Sequence, residues 1–323
     1  MEASKLETNE GRPLQVYEPN RQIHLGWRVW PEMFDELYRA RELLWRLAWR
    51  DVRARTKQSA FGIVVSVVSP LMLMGVFAYL NRHGAVQVGA TSVSYPLFLY
   101  AGLLPWQMLA GGLTRATPSL VDAASLVGKI QFPRETLVLS GVAQAVFDYL
   151  LSLPVLVLLL VLFRQGLEPT VVFVPMVVLI QLAFLSGLSF LLALAHAALR
   201  DVGNALPMLL VVWMFVTPII YADAAEQTTP IASTPARLAG ATSKIEEGPL
   251  TQRDAARSAS WVQRSLRVVN PMHALVVSYR DLMFRGRLTM PGALAWSAMA
   301  SVAIWLFGWR VFHLVEPKIA ERV

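Results

Sequence analysis

His196 and Asp201 form the one pattern in the chain that resembles a catalytic motif. Their spacing is H-x-x-x-x-D, in which the histidine can act as a general base in acyl transfer. A match of two residues arises by chance in many chains. His196 also stands at the end of an apolar run, and Arg200 and Asp201 are typical of the turn that follows such a run. We therefore interpret the pair as structural.

Asp148 is the second candidate, because it is the one carboxylate deep within a long apolar run. Burying a charge at that depth is expensive, so such a residue indicates a functional site by default. We expect no basic residue at matching depth, since Arg115 lies nearer the end of its own run and can extend to the surface. Two roles stay open for Asp148: a structural or gating role in a protonated or water-facing form, and direct contact with substrate.

Aromatic side chains recur within the apolar runs. Such rings could line a conduit and stack on the faces of sugar rings, which present apolar and hydroxyl groups together. For any single ring, packing against lipid is the alternative, and only several rings facing inward would indicate a path. Together with Asp148, the predicted path residues are Tyr100, Trp106, Phe147, Tyr149, Trp213 and Phe215, and Phe184 belongs to the same set of aromatics.

The motifs that bind nucleotides or carry hydrolytic chemistry are missing from the sequence. It contains no G-x-x-x-x-G-K-[ST], G-x-G-x-x-G, H-E-x-x-H or G-x-S-x-G. Any work driven by ATP must therefore be powered by another polypeptide, because this chain has no loop to hold the phosphates. The sequence also has no cysteine, which excludes disulfides and thiolate metal sites.

Six long apolar runs must position these residues. Of the 323 residues, 55% are hydrophobic and 16% are charged, and a run of about 20 apolar residues matches the ~30 Å hydrocarbon core of a bilayer. Helices satisfy their own backbone hydrogen bonds in lipid. The sequence therefore predicts an all-α polytopic membrane protein with six transmembrane helices. The predicted spans are 60–80, 96–116, 136–163, 170–199, 205–221 and 291–314.

The basic residues predict the orientation. Eleven of the 29 lysines and arginines precede residue 60, within a net charge of +7. Because positive charge collects on the cytosolic side of membrane proteins, we expect both termini in the cytosol, with a flexible tail at 1–32 and a cytosolic tail at 315–323. The basic charge adjoins the first span, which favours contact with lipid headgroups over nucleic acid.

The segment 33–57, just before the first span, has an amphipathic pattern. Its apolar side chains cluster in one arc when plotted at 100° per residue, and Trp45 and Trp49 suit the boundary between headgroups and hydrocarbon. Arg46 and Arg50 fall on the other side. We expect an interface helix in the membrane plane. The alternative is a helix packed on a partner, which could bury Leu47 on the polar side.

Residues 222–290 break the pattern of spans. The stretch 222–268 is polar and rich in small residues, so we expect a long outer loop. Asn270 followed by Pro271 suits the start of a helix. The apolar run after it is too short to span, which predicts a short interfacial or re-entrant helix before the last span.

Four short motifs occur in one order along this frame. They are residues 55–74 (RTKQSAFGIVVSVVSPLMLM), 102–106 (GLLPW), 129–135 (KIQFPRE) and 270–272 (NPM). Their succession resembles the permease subunits of type 2 ABC transporters that export polysaccharides, such as capsule, O-antigen and teichoic acid exporters. The resemblance covers roughly 37–222 and 266–315. Two departures are Val65, where many relatives carry tryptophan, and the unusually long segment 222–268.

The resemblance implies a homodimer of permeases in the bacterial inner membrane with two copies of a separate ABC ATPase subunit. No cofactor is expected on this chain, because ATP and Mg²⁺ would bind the partner, and the cargo would be a polyprenyl-linked glycan. The cytosolic loop 117–135 would couple the chain to the ATPase. The residues implied in this coupling are Lys129, Phe132, Pro133, Arg134 and Glu135.

Two other functions stay open from the sequence. One is an ABC exporter of drugs or antibiotics. The four motifs distinguish a polysaccharide exporter from this class less clearly than from other proteins. The other is a membrane enzyme acting on lipid-linked sugars or acyl groups. Such an enzyme should show clustered acids or histidines in its loops, and only His196 and Asp201 come near that pattern.

Overall fold

The structure is a computed structural model that describes residues 29–58, 62–85, 88, 91–124, 132–223, 226 and 269–319. Every regular element in these ranges is helical. The α-helices are α1 Val29–Arg39, α2 Arg41–Gln58, α3 Gly62–Arg82, α4 Tyr95–Ala116, α5 Ser119–Asp122, α6 Glu135–Leu162, α7 Val174–Ala198, α8 Asp201–Val216, α9 Pro271–Phe284 and α10 Pro291–Ile319, with a 3-10 helix at Pro169–Phe173 before α7. The predicted all-α class is confirmed. Lys129, most of 1–32, almost all of 222–268 and residues 320–323 lie outside the described residues.

Four helices are long and apolar enough to cross a membrane. They are Tyr95–Ala116, Glu135–Leu162, Pro169–Ala198 and Pro291–Val315. The chain is therefore a multi-pass membrane protein. The predicted spans 60–80 and 205–221 overlap α3 and α8, but α8 begins at Asp201 and ends at Val216, so 217–221 lie beyond it. With 16 residues, α8 is about 24 Å long, shorter than the bilayer core, so the count of six spans stays a prediction.

The α4 helix forms the centre of the fold. In its most apolar stretch 78% of the residues are buried, against 22–39% in the other three long helices. It packs against α3, α6, α7, α8 and α9, and the side chains from Leu97 to Leu103 are fully buried. A helix enclosed on all sides needs no polar face. Candidate functional groups on α4 are therefore sought among the polar contacts near its two ends.

Glycines let α7 and α10 approach each other closely. A Cβ on Gly187 would lie 2.5 Å from the Cα of Trp305, and one on Gly308 would lie 2.3 Å from the carbonyl oxygen of Gly187. Real Cβ atoms do not come this near to backbone, so both positions require glycine. Small residues at helix contacts are how membrane helices gain packing energy where lipid removes the hydrophobic drive.

The amphipathic segment predicted at 33–57 folds as two helices, α1 and α2, which meet at a turn residue, Ala40. Helix α2 packs along α6. Leu47 and Val52 are buried by this chain itself, whereas 64% of the Trp45 side chain stays exposed. The idea that a separate partner buries Leu47 is wrong. Helical periodicity shows that a face is apolar, but it does not show which surface covers it.

Candidate functional site

Asp148 is the centre of an ionic cluster in which two arginines hold its carboxylate. Arg55 donates from Nη2 to Oδ1 at 3.0 Å and from Nη1 to Oδ2 at 3.3 Å. Arg115 donates from Nη2 to Oδ2. The Asp148 side chain is 17% exposed, and those of Arg55 and Arg115 are 32% and 26% exposed. We call these three residues the Asp148 cluster. The expectation that Asp148 has no basic partner is wrong.

Arg115 joins the cluster by folding back along its own helix. A Cβ on Gly111 would lie 3.0 Å from Arg115 Nη1, so the missing side chain at Gly111 leaves room for the guanidinium one turn earlier in α4. Arg115 therefore extends away from the end of α4, although we expected it to extend toward the surface. Asp148 offsets the cost of this position. Two guanidiniums on one carboxylate leave the cluster with a net positive charge.

The Asp148 cluster is one rung of a ladder between α2 and α6. Four residues before Arg55, Asp51 Oδ2 accepts a hydrogen bond of 3.2 Å from Gln144 Nε2, and Gln144 lies four residues before Asp148. Positions four apart lie on the same face of a helix. The two helices therefore run in the same direction with matched register. Beside the rungs, the rings of Trp49 and Phe147 meet edge to face at 6.4 Å.

The structure brings some of the predicted path aromatics together. The Trp213 ring meets those of Trp106 and Phe184 edge to face, at 5.9 and 6.0 Å. Asn270 Oδ1 accepts from both Trp213 Nε1 and Met272 N, which confirms the predicted helix start at Asn270. Trp106 is buried, so within one chain these rings form a packed cluster at the junction of α4, α7, α8 and α9.

The other predicted path residues do not converge on a common surface. Tyr100 is fully buried and donates to the carbonyl oxygen of Ser152 at 3.2 Å. The hydroxyl groups of Tyr149 and Tyr279 lie 2.9 Å apart. Phe215 is exposed over 53% of its surface. Whether any of these side chains contacts a substrate stays a prediction.

The described coupling residues lie at the start of α6. Phe132 is buried at 8% exposure, so its ring packs into this chain. The carbonyl oxygen of Pro133 accepts from the backbone and the hydroxyl of Thr136, at 3.2 and 2.7 Å. Glu135 Oε1 lies 3.4 Å from His313 Nδ1 in α10. Arg134 is partly exposed, which leaves it the better placed of these residues to contact a partner.

The predicted interface residues lie on the outer surface of α2. The Trp45 and Trp49 rings stack at 6.0 Å with 7° between their planes. Arg46 pairs with Glu42 at 2.7 Å, and Arg50 pairs with Asp51 at 2.8 Å. A surface groove beside them is lined by Arg46, Trp49, Arg50, Arg53 and Ala54. Exposed indoles next to guanidiniums suit a headgroup layer, and this contact stays a prediction.

A second ionic cluster lies at the other end of α4, around Arg280 of α9. Arg280 is 1% exposed. Its Nη2 donates to Glu226 Oε2 at 3.4 Å and to the carbonyl oxygen of Pro218. Its guanidinium also lies 3.8 Å from the centre of the Phe98 ring, a cation–π contact. The cluster ties α9 to α4 and to the chain after α8.

Two further charged residues of α9 complete this group. Asp281 Oδ2 accepts from the backbone and the hydroxyl of Thr289, at 2.7 and 2.6 Å. Arg285 Nε lies 3.7 Å from Asp281 Oδ1. Burial is the main effect that raises the pKa of Glu226, and the nearby charge of Arg280 opposes it. We call Arg280, Glu226, Asp281 and Arg285 the Arg280 cluster.

Our reading of the sequence missed the Arg280 cluster. The rule that singled out Asp148, a charge within an apolar helix, applies equally to Arg280 and Asp281 in the run MHALVVSYRDLMF. Because the run is too short to span, the sequence predicts only a short interfacial or re-entrant helix there. All 14 residues of α9 are buried in the chain, so its charged side chains need partners regardless of the helix's length.

His196 has a structural contact that accounts for its position. The backbone N–H of Gly203 in the first turn of α8 donates to His196 Nδ1 at 3.1 Å. His196 thus satisfies one of the N–H groups that a helix leaves open at its start. Within the described ranges no group of three or more His, Asp or Glu side chains could hold a metal ion. The geometry supports the structural interpretation of His196.

Comparison with known proteins adds the family. The profile of the ABC-2 type transporter family matches residues 42–225. The chain is 29% identical to the O-antigen export system permease protein RfbA of Myxococcus xanthus over 286 residues, which cover 88% of this chain and 96% of that protein. Two proteins of the same name from Klebsiella pneumoniae are 27% and 24% identical over 283 residues, which cover 87% of this chain and 94% of each. Because the family profile spans more than half of its length, the chain belongs to the ABC-2 type transporter family.

Proposed function

We propose that this chain is the membrane-spanning permease subunit of an ABC exporter that moves polysaccharide or lipid-linked glycan across the bacterial inner membrane. The observation that carries the proposal is the similarity to three permeases named for O-antigen export, which extends over at least 94% of each. Full-length similarity favours the same role within a transporter. We further propose that a polyprenyl lipid carries the glycan.

A separate ATPase subunit powers the exporter. The chain has no phosphate-binding loop, and the family implies an ABC ATPase as partner. We propose two permeases in a homodimer with two copies of that ATPase, which would bind ATP and Mg²⁺. The described parts of the loop 117–135, above all the partly exposed Arg134, would contact it.

The proposed topology places both termini in the cytosol. The stacked indoles and arginines of α2 would then lie at the cytosolic headgroup layer, as would the start of α6 and the end of α4 that carries Arg115. The Arg280 cluster would lie toward the outer side, where α9 forms a buried re-entrant helix. This arrangement follows from the direction of α4, because Phe98 and Arg115 lie near opposite ends of it.

The test of export compares surface glycan with lipid-linked glycan retained inside a strain that lacks this chain. We expect loss of glycan at the surface and accumulation inside, both reversed by the intact gene. Unchanged glycan in both places would contradict the proposal and favour a drug or antibiotic exporter. Absence of glycan from both places would instead favour an enzyme of glycan assembly.

The coupling contact is tested with Arg134→Ala in the same complementation assay. We expect reduced export and continued ATP hydrolysis by the partner, because the contact would transmit closure of the ATPase to α6. Arg200→Ala, an exposed arginine beside another helix start, is the matched control. Normal export by Arg134→Ala would remove Arg134 from the coupling surface.

A further inference from the structure

The strongest unassigned feature is the ladder between α2 and α6. Its two rungs, Asp51–Gln144 and Arg55–Asp148, join residues that are 93 positions apart in both cases. The same offset in both rungs means that a shift of α2 by one turn would break them together. Arg115 extends the second rung from α6 to α4.

We propose that the ladder makes α2 and α6 one rigid unit, and that Asp148 is a positioning residue that ties this unit to α4. The proposal rests on the function proposed above, in which ATP-driven movement of the partner must reach the membrane-spanning helices. In a rigid unit the amphipathic helix does not slide on the span during transport. Its displacement instead becomes displacement of α6, and through Arg115 that of α4.

The geometry favours positioning over substrate contact at Asp148. Both carboxylate oxygens accept from guanidinium groups, and only 17% of the side chain is exposed. A substrate hydroxyl would have to compete with two charge-assisted bonds, which are stronger than neutral ones. The carboxylate is therefore occupied by the chain's own cations.

Apolar packing beside the rungs supports a unit that does not slide. Leu47 and Val52 of α2 are each 6% exposed, and Trp49 packs edge to face on Phe147 of α6. Interlocked side chains have discrete packed arrangements rather than a continuous range. One hydrogen-bonded rung and one ionic rung at matched register select one of these arrangements.

The absence of cysteine from the sequence allows a direct test. Asp51→Cys and Gln144→Cys replace the first rung in the full chain, reconstituted with its ATPase partner in liposomes. A short, reducible bifunctional thiol reagent then joins the two positions. We expect the cross-linked protein to keep its ATP-driven glycan export, because the two positions stay together throughout the cycle. Export blocked by the cross-link and restored by reductant would overturn the proposal.

Arg55→Gln breaks the second rung while Asp148 keeps Arg115. We expect about a tenfold drop in glycan exported per ATP hydrolysed, the size expected for one charge-assisted hydrogen-bonded pair. Cross-linking positions 51 and 144 in this variant should restore export, and reductant should abolish the rescue. A residue that served only folding would show neither response. Unchanged export in Arg55→Gln, or a failed rescue, would overturn the proposal.

Three controls complete the experiment. Each single cysteine variant receives the same reagent, and Arg39→Gln removes an exposed arginine that pairs within α1 with Asp35. Asp148→Asn with the cross-link is the second breaking variant, and rescue there would exclude an essential contact of the carboxylate with glycan.

If the unchanged chain exports no glycan, the proposed function fails. The response of the partner's ATP hydrolysis to the cross-link then still tests whether α2 and α6 move as one.

Discussion

The two ionic clusters lie near opposite ends of α4 and differ in how far water reaches them. The side chains of the Asp148 cluster are 17–32% exposed, whereas those of Arg280 and Glu226 are 1% exposed. Phe98, under Arg280, and Arg115 are separated by about 25 Å along the helix, at 1.5 Å per residue. Helix α4 thus contacts a partly hydrated ionic cluster through Arg115 and a fully buried one through Phe98.

The difference in burial teaches what each cluster can do. A fully buried charge has no alternative partner in water, so its ion pair cannot open without a large penalty. The Arg280 cluster should therefore hold α9 in one place. A partly hydrated pair costs less to break than a fully buried one, so the Asp148 cluster should contribute less to stability while it ties α2 and α6 to α4. The predictions below separate these two roles.

The largest effect is expected from Arg280→Met. It leaves Glu226 buried without its cation, and breaking a buried pair on one side costs about 3–5 kcal/mol. We expect a lower melting temperature and a lower yield of folded protein after extraction from membranes. Arg82→Met, at an exposed arginine, is the matched control.

The double variant Arg280→Met with Glu226→Gln sharpens this result. It should recover part of the loss, because position 226 then no longer holds a buried carboxylate that has lost its cation. A melting temperature of Arg280→Met equal to that of the unchanged chain would show that the buried pair does not hold α9.

A smaller loss of stability is expected from Asp148→Asn. The three side chains are partly hydrated, so removing the charge should cost about 1–3 kcal/mol, less than Arg280→Met. Export should nevertheless fall more steeply than stability, because the tie of α2 and α6 to α4 is lost. At about 1 M salt the Debye length is ~3 Å, so the stability difference from the unchanged chain should shrink. Persistence of the full difference at high salt would indicate that the cluster is more deeply buried.

The distance between two substituted residues predicts whether their effects on the free energy of unfolding are additive. Arg55→Gln and Glu226→Gln act near opposite ends of α4, so their changes in the free energy of unfolding should add within about 0.5 kcal/mol. Arg55→Gln and Asp148→Asn share one ion pair and should deviate from additivity by about 0.5–3 kcal/mol. Chemical denaturation of the single and double variants measures both sums. Strong coupling between the distant pair would mean that α4 links the two clusters energetically.

The smallest effect is a change in pH dependence in Glu226→Gln. Burial raises the pKa of Glu226, so the folded chain binds its proton more tightly than the unfolded chain does. The stability contributed by this group is fully present below the unfolded pKa and is lost as pH rises through the folded pKa. The unchanged chain should therefore lose stability relative to Glu226→Gln as pH rises over that window. Thermal melting of both proteins across pH measures the difference, and parallel curves would contradict it.

The sequence by itself determined most of the helices and some of their ends. The runs at 96–116 and 136–163 became α4 and α6 within a residue or two, because helical hydrogen bonds join residues four apart and apolar composition favours lipid or a core. Asn270 caps α9 as predicted, since a cap acts within three residues. The four ordered motifs likewise pointed to the family that the profile then matched.

Only the tertiary structure decided which side chains meet. The partners of Asp148 lie 33 and 93 residues away, and no local rule relates such positions. Leu47 lies on the polar side of the amphipathic pattern and is nevertheless buried within the chain, because periodicity does not distinguish lipid, a partner and the chain's own core. Arg280 and Glu226 meet across 54 residues. Helix formation depends on residues that are close together in the sequence. Ion pairs inside a membrane protein instead depend on how the packed helices are placed against each other.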